Sequence, residues 1–142
     1  MIQIRQSGAA TPPCLCAIDR IGPGAHQGRH PLGRCEFRNQ PIEAVVFIPH
    51  MHWRGKDMTY KVTYPTGETQ TLLTASNFSF DWQLAYELAK PASLPKGSRI
   101  EVTAHYDNSP NNIQNPYIGE TARWGDQTWN EMFIGSWVRW FQ

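Results

Sequence analysis

Two histidines, His50 and His52, stand two residues apart in the run Pro49-His50-Met51-His52-Trp53. Successive side chains of a β-strand point to opposite faces, so residues two apart share a face and lie about 6.6 Å apart along the chain. On a strand, both imidazoles can therefore aim at one point. Histidine is the commonest metal ligand, and this spacing predicts a metal clamp. The alternative is a pair of histidines that only pack in the fold.

The residue types available for a third ligand restrict the metal. From Gln40 onward the chain has no cysteine, and its one further histidine is His105, so we expect a carboxylate or a thioether. Met132 lies where polar residues interrupt an apolar pattern just as the last predicted strand begins, although a methionine in a strand can equally pack in the core. Two imidazoles and a thioether favour copper, because soft sulfur stabilises Cu(I) and suits zinc, magnesium and calcium poorly.

A site with only three protein ligands leaves one coordination position open. Open positions distinguish reactive metal sites from closed structural ones, and dioxygen can bind at such a position on Cu(I). The ligand set of His50, His52 and Met132 therefore predicts oxygen activation.

The elements that must position these ligands are predicted to be strands. Residues 44–48 form a β-branched apolar run that continues into the two histidines, and its two apolar faces indicate a central strand. Residues 60–64 and 68–73 flank Pro65-Thr66-Gly67, which suits a type I turn and predicts a hairpin. The last run, 130–141, alternates and begins beside Met132.

A second turn of the same kind, Pro95-Lys96-Gly97, precedes residues 99–106. There apolar and polar side chains alternate as in a half-buried strand. Residues 81–90 alone show a helical pattern, which Pro91 is expected to end. Short strands separated by Gly and Pro turns are typical of an all-β antiparallel sandwich or jelly roll.

Residues 1–40 differ from the rest, because Pro, Gly, Arg and Cys interrupt every periodic pattern. We interpret them as an irregular or poorly ordered segment with at most a short strand, and residues 41–142 as one sandwich domain. A shifted reading frame upstream of Pro41 is an alternative explanation. Cys14, Cys16 and Cys35 with His26 or His30 could hold zinc, but their spacing fits no common motif and unpaired loop thiols are the simpler interpretation.

The charge distribution argues against two classes of partner. The formal net charge is +1, and the Lys and Arg residues are scattered rather than clustered. Nucleic-acid and membrane-surface binding are therefore not expected. No apolar run approaches the length of about 18 residues that a membrane span needs, and the N-terminus lacks the pattern of a signal peptide.

Three segments together carry a family resemblance. They are residues 50–56 (HMHWRGK), 104–109 (AHYDNS) and 124–132 (WGDQTWNEM), and they occur in this order. They resemble the C-terminal domain of the copper type II ascorbate-dependent monooxygenases, the family of peptidylglycine alpha-hydroxylating monooxygenase and dopamine beta-monooxygenase. The variant is similar to the bacterial branch, and the resemblance covers about residue 41 to the C-terminus.

The resemblance implies that His50, His52 and Met132 are the ligands of the oxygen-binding copper and that the fold is a jelly-roll sandwich. It also implies hydroxylation of a C–H bond in a small organic substrate, with dioxygen as co-substrate and ascorbate as electron donor. A periplasmic or secreted location follows from the family. The family holds a second copper with three histidines in a separate N-terminal domain, which residues 1–40 are too short to form, so we expect a second copper-bearing domain or chain as partner.

Other polar residues have simpler interpretations. We expect His105 to be a hydrogen-bonded structural residue before an Asn-rich turn rather than a ligand. Asp107, Asp126 and Glu131 could orient an imidazole, although surface solvation is the expected role of each. The tryptophans 53, 124, 129, 137 and 140 are expected in the core or as lids over the site.

Two further functions compete with the monooxygenase. One is a non-catalytic copper-binding module for storage, delivery or electron transfer that uses the same three ligands. The other is a carbohydrate- or peptide-binding sandwich in which the histidines only pack and the aromatic residues form the platform.

Overall fold

The computed structural model describes residues 14–15, 28–36 and 41–140, and the side chains from 41 to 138. The strands are β1 (Cys14–Leu15), β2 (Gly28–Glu36), β3 (Ile42–Met51), β4 (Gly55–Thr63), β5 (Thr69–Ala75), β6 (Tyr86–Leu94), β7 (Arg99–Tyr106) and β8 (Phe133–Trp140). They form two antiparallel sheets, in the orders β1-β8-β3-β6 and β2-β7-β4-β5. Within these residues there is no helix, and the predicted all-β class is confirmed.

The core lies between the two sheets. Along β7 the apolar residues Ile100, Val102, Ala104 and Tyr106 are fully buried and alternate with polar neighbours, as predicted. The ring of Phe47 on β3 lies 4.8 Å from that of Tyr60 on β4, which joins one sheet to the other. This face-to-face packing is that of a β-sandwich, while the jelly-roll topology stays a prediction.

Strand β3 is central, as its apolar sequence predicts, because it pairs with β6 on one side and with β8 on the other. The predicted hairpin is also confirmed. Strands β4 and β5 pair across the Pro-Thr-Gly turn, where the amide of Gly67 donates to the carbonyl of Tyr64 at 2.9 Å. Gly67 has a φ of 87°, a left-handed conformation that glycine adopts without strain.

The helical interpretation of residues 81–90 is wrong. Their second half begins strand β6, and Pro91 lies within that strand instead of ending a helix. Proline is tolerated there because β6 is an edge strand and because its pairing with β3 is irregular between Ala44 and Val46. The local helical pattern is thus outweighed by pairing with the buried strand β3.

Two strands lie in the segment expected to be irregular. Strand β1 pairs with β8 at the edge of one sheet, and β2 pairs with β7 in the other. Cys14 and Cys35 therefore belong to different sheets, while Cys16 and His26 lie outside the described residues. The side chains of the zinc alternative also lie outside them, and that alternative stays untested.

In the part of the chain that the structure describes, no helix is long and apolar enough to cross a membrane.

Candidate metal centre

The pairing of β3 with β8 places the segments that carry the three predicted ligands at the same end of the sheet. His50 pairs with Ile134 and Met51 with Phe133, and the described register ends there. One further step of the same antiparallel register would set His52 opposite Met132, just beyond the ends of both strands. Opposite residues of an antiparallel pair share a face, and their Cβ atoms are typically about 5 Å apart.

Burial identifies the face. Met51 and Phe133 point into the core and are almost wholly buried. Because side chains alternate along a strand, His50 belongs to the opposite, outer face of the sheet, and the same alternation continued past the strand ends predicts that face for His52 and Met132. His52 is nevertheless buried, because two irregular segments, 76–85 and 107–132, cover the ends of the strands.

The two imidazoles are close and nearly perpendicular. Their ring centroids are 5.3 Å apart, with 88° between the ring planes. Two imidazoles that share one ion through bonds of about 2 Å have centroids no more than about 6 Å apart. The rings of His50 and His52 therefore meet the distance requirement for a common metal ion.

Each imidazole has an acceptor at its Nδ1 atom. The Nδ1 of His50 lies 2.7 Å from Oε1 of Gln83, and the Nδ1 of His52 lies 3.3 Å from the carbonyl oxygen of Asn130. Gln83 is itself held, because its Nε2 donates to the carbonyl of Phe80 at 2.9 Å. When Nδ1 donates to these oxygens, Nε2 carries the lone pair that binds metal.

The electrostatics favour the neutral form of His52. Burial lowers the pKa of His52, and the neighbouring His50 lowers it further. The backbone carbonyls of Asn130 and Gln127 and the charge of Asp126 oppose this shift without reversing it. Metal ligation requires a deprotonated imidazole nitrogen, so His52 is in its ligating form at neutral pH.

A tight turn fixes the spacing of the histidines from β4. The amide of Gly55 donates to the carbonyl of His52 at 2.9 Å. A Cβ on Gly55 would lie 2.6 Å from the Cβ of Met51 and 3.1 Å from the carbonyl oxygen of His52. Only glycine allows the chain to reverse this closely behind the histidine pair.

Arg54, within that turn, is 1% exposed although it carries a charge. Its Nη1 lies 3.3 Å from Oε1 of Glu131, which is 0% exposed and immediately precedes Met132. Burial raises the pKa of Glu131 to about 7, although Arg54 pulls it in the opposite direction. The expected surface role of Glu131 is therefore wrong, because its carboxyl group lies in the interior against a guanidinium.

The other polar candidates lie apart from the histidine pair or act indirectly. His105, as expected, is a hydrogen-bonded residue, with its Nδ1 2.5 Å from Oδ1 of Asp57 on the neighbouring strand. Asp107 accepts from the amide of Ser109 at 2.9 Å and so shapes its own turn. Asp126 is exposed and acts on His52 through its charge.

The tryptophans differ in burial. Trp137 packs against the core, as one of the two predicted roles requires, whereas Trp124 and Trp129 are each 43% exposed and so do not belong to the core. Trp82, for which no role was predicted, is 71% exposed. Trp82 precedes Gln83, and Trp129 precedes Asn130, so each of these two exposed indoles is the neighbour of a residue that orients an imidazole. Trp53 is half-buried, with its ring 6.2 Å from that of Phe80, which in turn lies 6.0 Å from the ring of His52.

Within the described residues, no three His, Cys, Asp or Glu side chains form a metal-binding group. A metal at the histidine pair would therefore need a different third donor, and Met132, which directly precedes β8, stays the predicted one. A donor set of two imidazoles and a thioether fits copper and does not fit the hard cations.

Sequence reasoning missed Arg54, Gln83 and Asn130. Their contacts with the site run through irregular segments, and no periodic pattern indicates them. The one available signal was the position of Arg54 between an apolar strand and Gly55, since a charge beside an apolar strand must find a partner if it is buried.

Comparison with models of known families and with curated proteins finds no match to this chain.

Proposed function

We propose that this chain is the copper-binding domain of an ascorbate-dependent monooxygenase, with His50, His52 and Met132 as the copper ligands. The supporting observation is the histidine pair itself: two imidazoles 5.3 Å apart, each with its Nδ1 held by a fixed oxygen acceptor. The three-segment family resemblance supports the same ligands and the same function.

Each part of the site has a task in this proposal. Gln83 and the carbonyl of Asn130 hold Nδ1 of each imidazole, which would leave Nε2 of each available to bind the metal. Burial lowers the pKa of His52 and so favours its neutral form, and the register of β3 with β8, continued by one step, would bring Met132 to the same face. Copper bound there would supply the one-electron chemistry that activates dioxygen for C–H hydroxylation, with ascorbate as the source of electrons.

The surroundings suit a small organic substrate. The ring of Phe80 packs edge-on against that of His52, and Trp53 packs in turn against Phe80. Trp82 and Trp129 are exposed and directly precede Gln83 and Asn130, the residues that orient the imidazoles. In this proposal these indoles supply the apolar surface that the substrate contacts. A second copper-bearing domain or chain, dioxygen and a periplasmic or extracellular location remain parts of the proposal.

The test is Cu(I) titration of the purified chain with ascorbate-dependent oxygen uptake measured on the same sample. One Cu(I) per chain, lost in His50→Ala and weakened in Met132→Ala, supports the ligand set. Oxygen uptake with a reducing partner domain and a C–H substrate supports the monooxygenase. Copper binding without uptake identifies the non-catalytic module, and the absence of copper binding with retained sugar binding identifies the carbohydrate-binding alternative.

A further inference from the structure

We propose that Arg54 and Glu131 form a clamp that holds Met132 and the carbonyl of Asn130 in place before any metal binds. The clamp is a positioning device, and its purpose rests on the proposed copper function. It is defined here as the side chains of Arg54 and Glu131 with the hydrogen bonds that they make.

Arg54 contacts the segment that carries Met132 on both sides of Asn130. Its Nη1 donates to the carbonyl of Trp129 at 2.8 Å, and its backbone amide donates to Oε1 of Glu131 at 2.9 Å. The residue between these two contacts supplies the acceptor for His52, and the residue after them is Met132. One arginine therefore fixes the backbone that carries both an imidazole acceptor and the thioether.

The same guanidinium also organises the rest of the irregular segment 107–132. The Nε of Arg54 donates to Oδ1 of Asn108 at 2.9 Å and to Oδ1 of Asn115 at 3.0 Å. Asn108 extends this hydrogen-bond network, because its Nδ2 donates to the carbonyl of Glu120 at 2.9 Å. Residues 107–132, which contain no named strand, are thus arranged around one buried charge.

The buried pair of Arg54 and Glu131 costs folding stability, so its presence calls for a functional reason. Removing two charged side chains from water is expensive, and a buried ion pair can often be replaced by apolar residues without loss of stability. Here Oε2 of Glu131 is buried without a hydrogen-bond partner, so the pair is not even fully satisfied. A hydrogen-bonded network that fixes the backbone on either side of a predicted ligand, directly before β8, is the support that a preorganised metal ligand requires.

A lysine could not replace this arginine. Arg54 directs three of its side-chain hydrogen bonds from Nε and Nη1 to separate acceptors on residues 108, 115 and 129. The planar fork of a guanidinium can do this, whereas a lysine ammonium is a single point charge. The clamp therefore predicts that charge alone does not preserve the position of Met132.

The metal-free test is amide hydrogen exchange in the apo protein, with an apolar double variant, Arg54→Met with Glu131→Leu, compared with wild type. We expect exchange of the amides at 125, 130 and 131, whose acceptors lie within residues 123–131, to accelerate by about tenfold or more. Amides of β4 and β7 should be unchanged. Unchanged protection at 125, 130 and 131 would overturn the clamp, whatever the protein binds.

The copper test measures how much Met132 contributes in each background. In wild type, Met132→Ala should weaken Cu(I) binding by about ten- to hundredfold, and in the double variant by less than about threefold, because the thioether has already lost its position. Glu131→Gln, which retains an acceptor oxygen, should behave like wild type. If the double variant does not fold, Arg54→Lys takes its place, with the same expected loss of coupling.

The outcomes separate the two proposals. A full effect of Met132→Ala in both backgrounds contradicts the clamp and leaves the copper site standing. No effect of Met132→Ala in wild type contradicts the copper site, and with it the purpose of the clamp. A replacement of the pair Asp57 and His105 by Asn and Gln, on the other sheet, is the matched control and should leave both readouts unchanged.

Discussion

His52 and His105 lie on the outer faces of the two opposite sheets, yet their surroundings differ in kind. His105 bonds to Asp57, its direct cross-strand neighbour, and both side chains are partly exposed. His52 is buried and bonds to a backbone carbonyl that arrives from a segment 78 residues further along the chain. The first arrangement needs only a regular strand pair, whereas the second needs irregular segments held in one conformation.

The energetic cost of the site lies in the surroundings of His52. A cross-strand pair such as His105 with Asp57 follows from strand register alone and contributes little to stability. The surroundings of His52 require a buried arginine, a buried glutamate and a glycine turn that no other residue could form. The outer face of β3 is therefore the one on which substitutions should have large consequences.

The largest expected effect is on stability, at Arg54. Arg54→Met leaves the carboxyl of Glu131 buried without its cation and should lower the free energy of unfolding by about 3–5 kcal/mol. Chemical denaturation measures this change. Lys56→Met, two residues away and exposed, is the matched control and should change stability by less than about 0.5 kcal/mol. A loss at Arg54 as small as that at Lys56 would contradict the buried pair.

The next effect is on metal binding. His52→Ala removes one of the two imidazole ligands and should weaken Cu(I) binding by more than about a hundredfold. This loss exceeds the roughly ten- to hundredfold loss expected when a residue that only orients a ligand is removed. His105→Ala should leave Cu(I) affinity unchanged, because its ring bonds to Asp57 on the other sheet. Competition against a Cu(I) chelator measures both affinities. Equal losses for the two variants would remove the distinction between the two faces.

A smaller effect is expected at Gln83. Gln83→Leu removes the acceptor of the Nδ1 of His50, so the ring loses its fixed orientation, and Cu(I) binding should weaken by about ten- to hundredfold. Gln70→Leu is the control, since Gln70 bonds to the hydroxyl of Tyr64 at the far hairpin. The same chelator competition applies. An affinity within twofold of wild type for Gln83→Leu would show that His50 needs no acceptor.

The smallest effect is expected at Asp57. Asp57→Asn weakens a partly exposed pair with His105 and should reduce the free energy of unfolding by roughly 0.2–1 kcal/mol. Chemical denaturation of the two proteins measures this difference. A loss above about 2 kcal/mol would contradict this expectation, because the pair of Asp57 and His105 would then stabilise the fold about as strongly as the buried network around Arg54.

The strands were predictable because each follows a local rule. Residues 99–106 alternate cleanly, and the hairpin at 65–67 is specified by its proline and glycine. The failure at 81–90 has the opposite cause, since that segment has a weak local preference and its pairing with β3 is decided by residues distant in sequence. An edge strand with Pro91 and an irregular register leaves little local signal.

The site divides in the same way. The pair His50 and His52 is visible in the sequence because a strand puts alternate residues on one face. The buried environment of Glu131 and the acceptors of the imidazoles were not predictable, because they depend on how residues 107–132 fold around Arg54. Hydrogen bonds between residues more than thirty positions apart leave no trace in composition or periodicity.

The central claim is that two imidazoles and one thioether converge on a single copper ion. X-ray absorption on the Cu(I)-loaded protein tests it most directly, because sulfur and nitrogen scatter differently. The proposal predicts two nitrogen neighbours and one sulfur neighbour, with the sulfur contribution absent in Met132→Ala and unchanged in Met58→Leu, a core methionine on β4. A spectrum without sulfur in wild type, or one that Met132→Ala leaves unchanged, would contradict the claim.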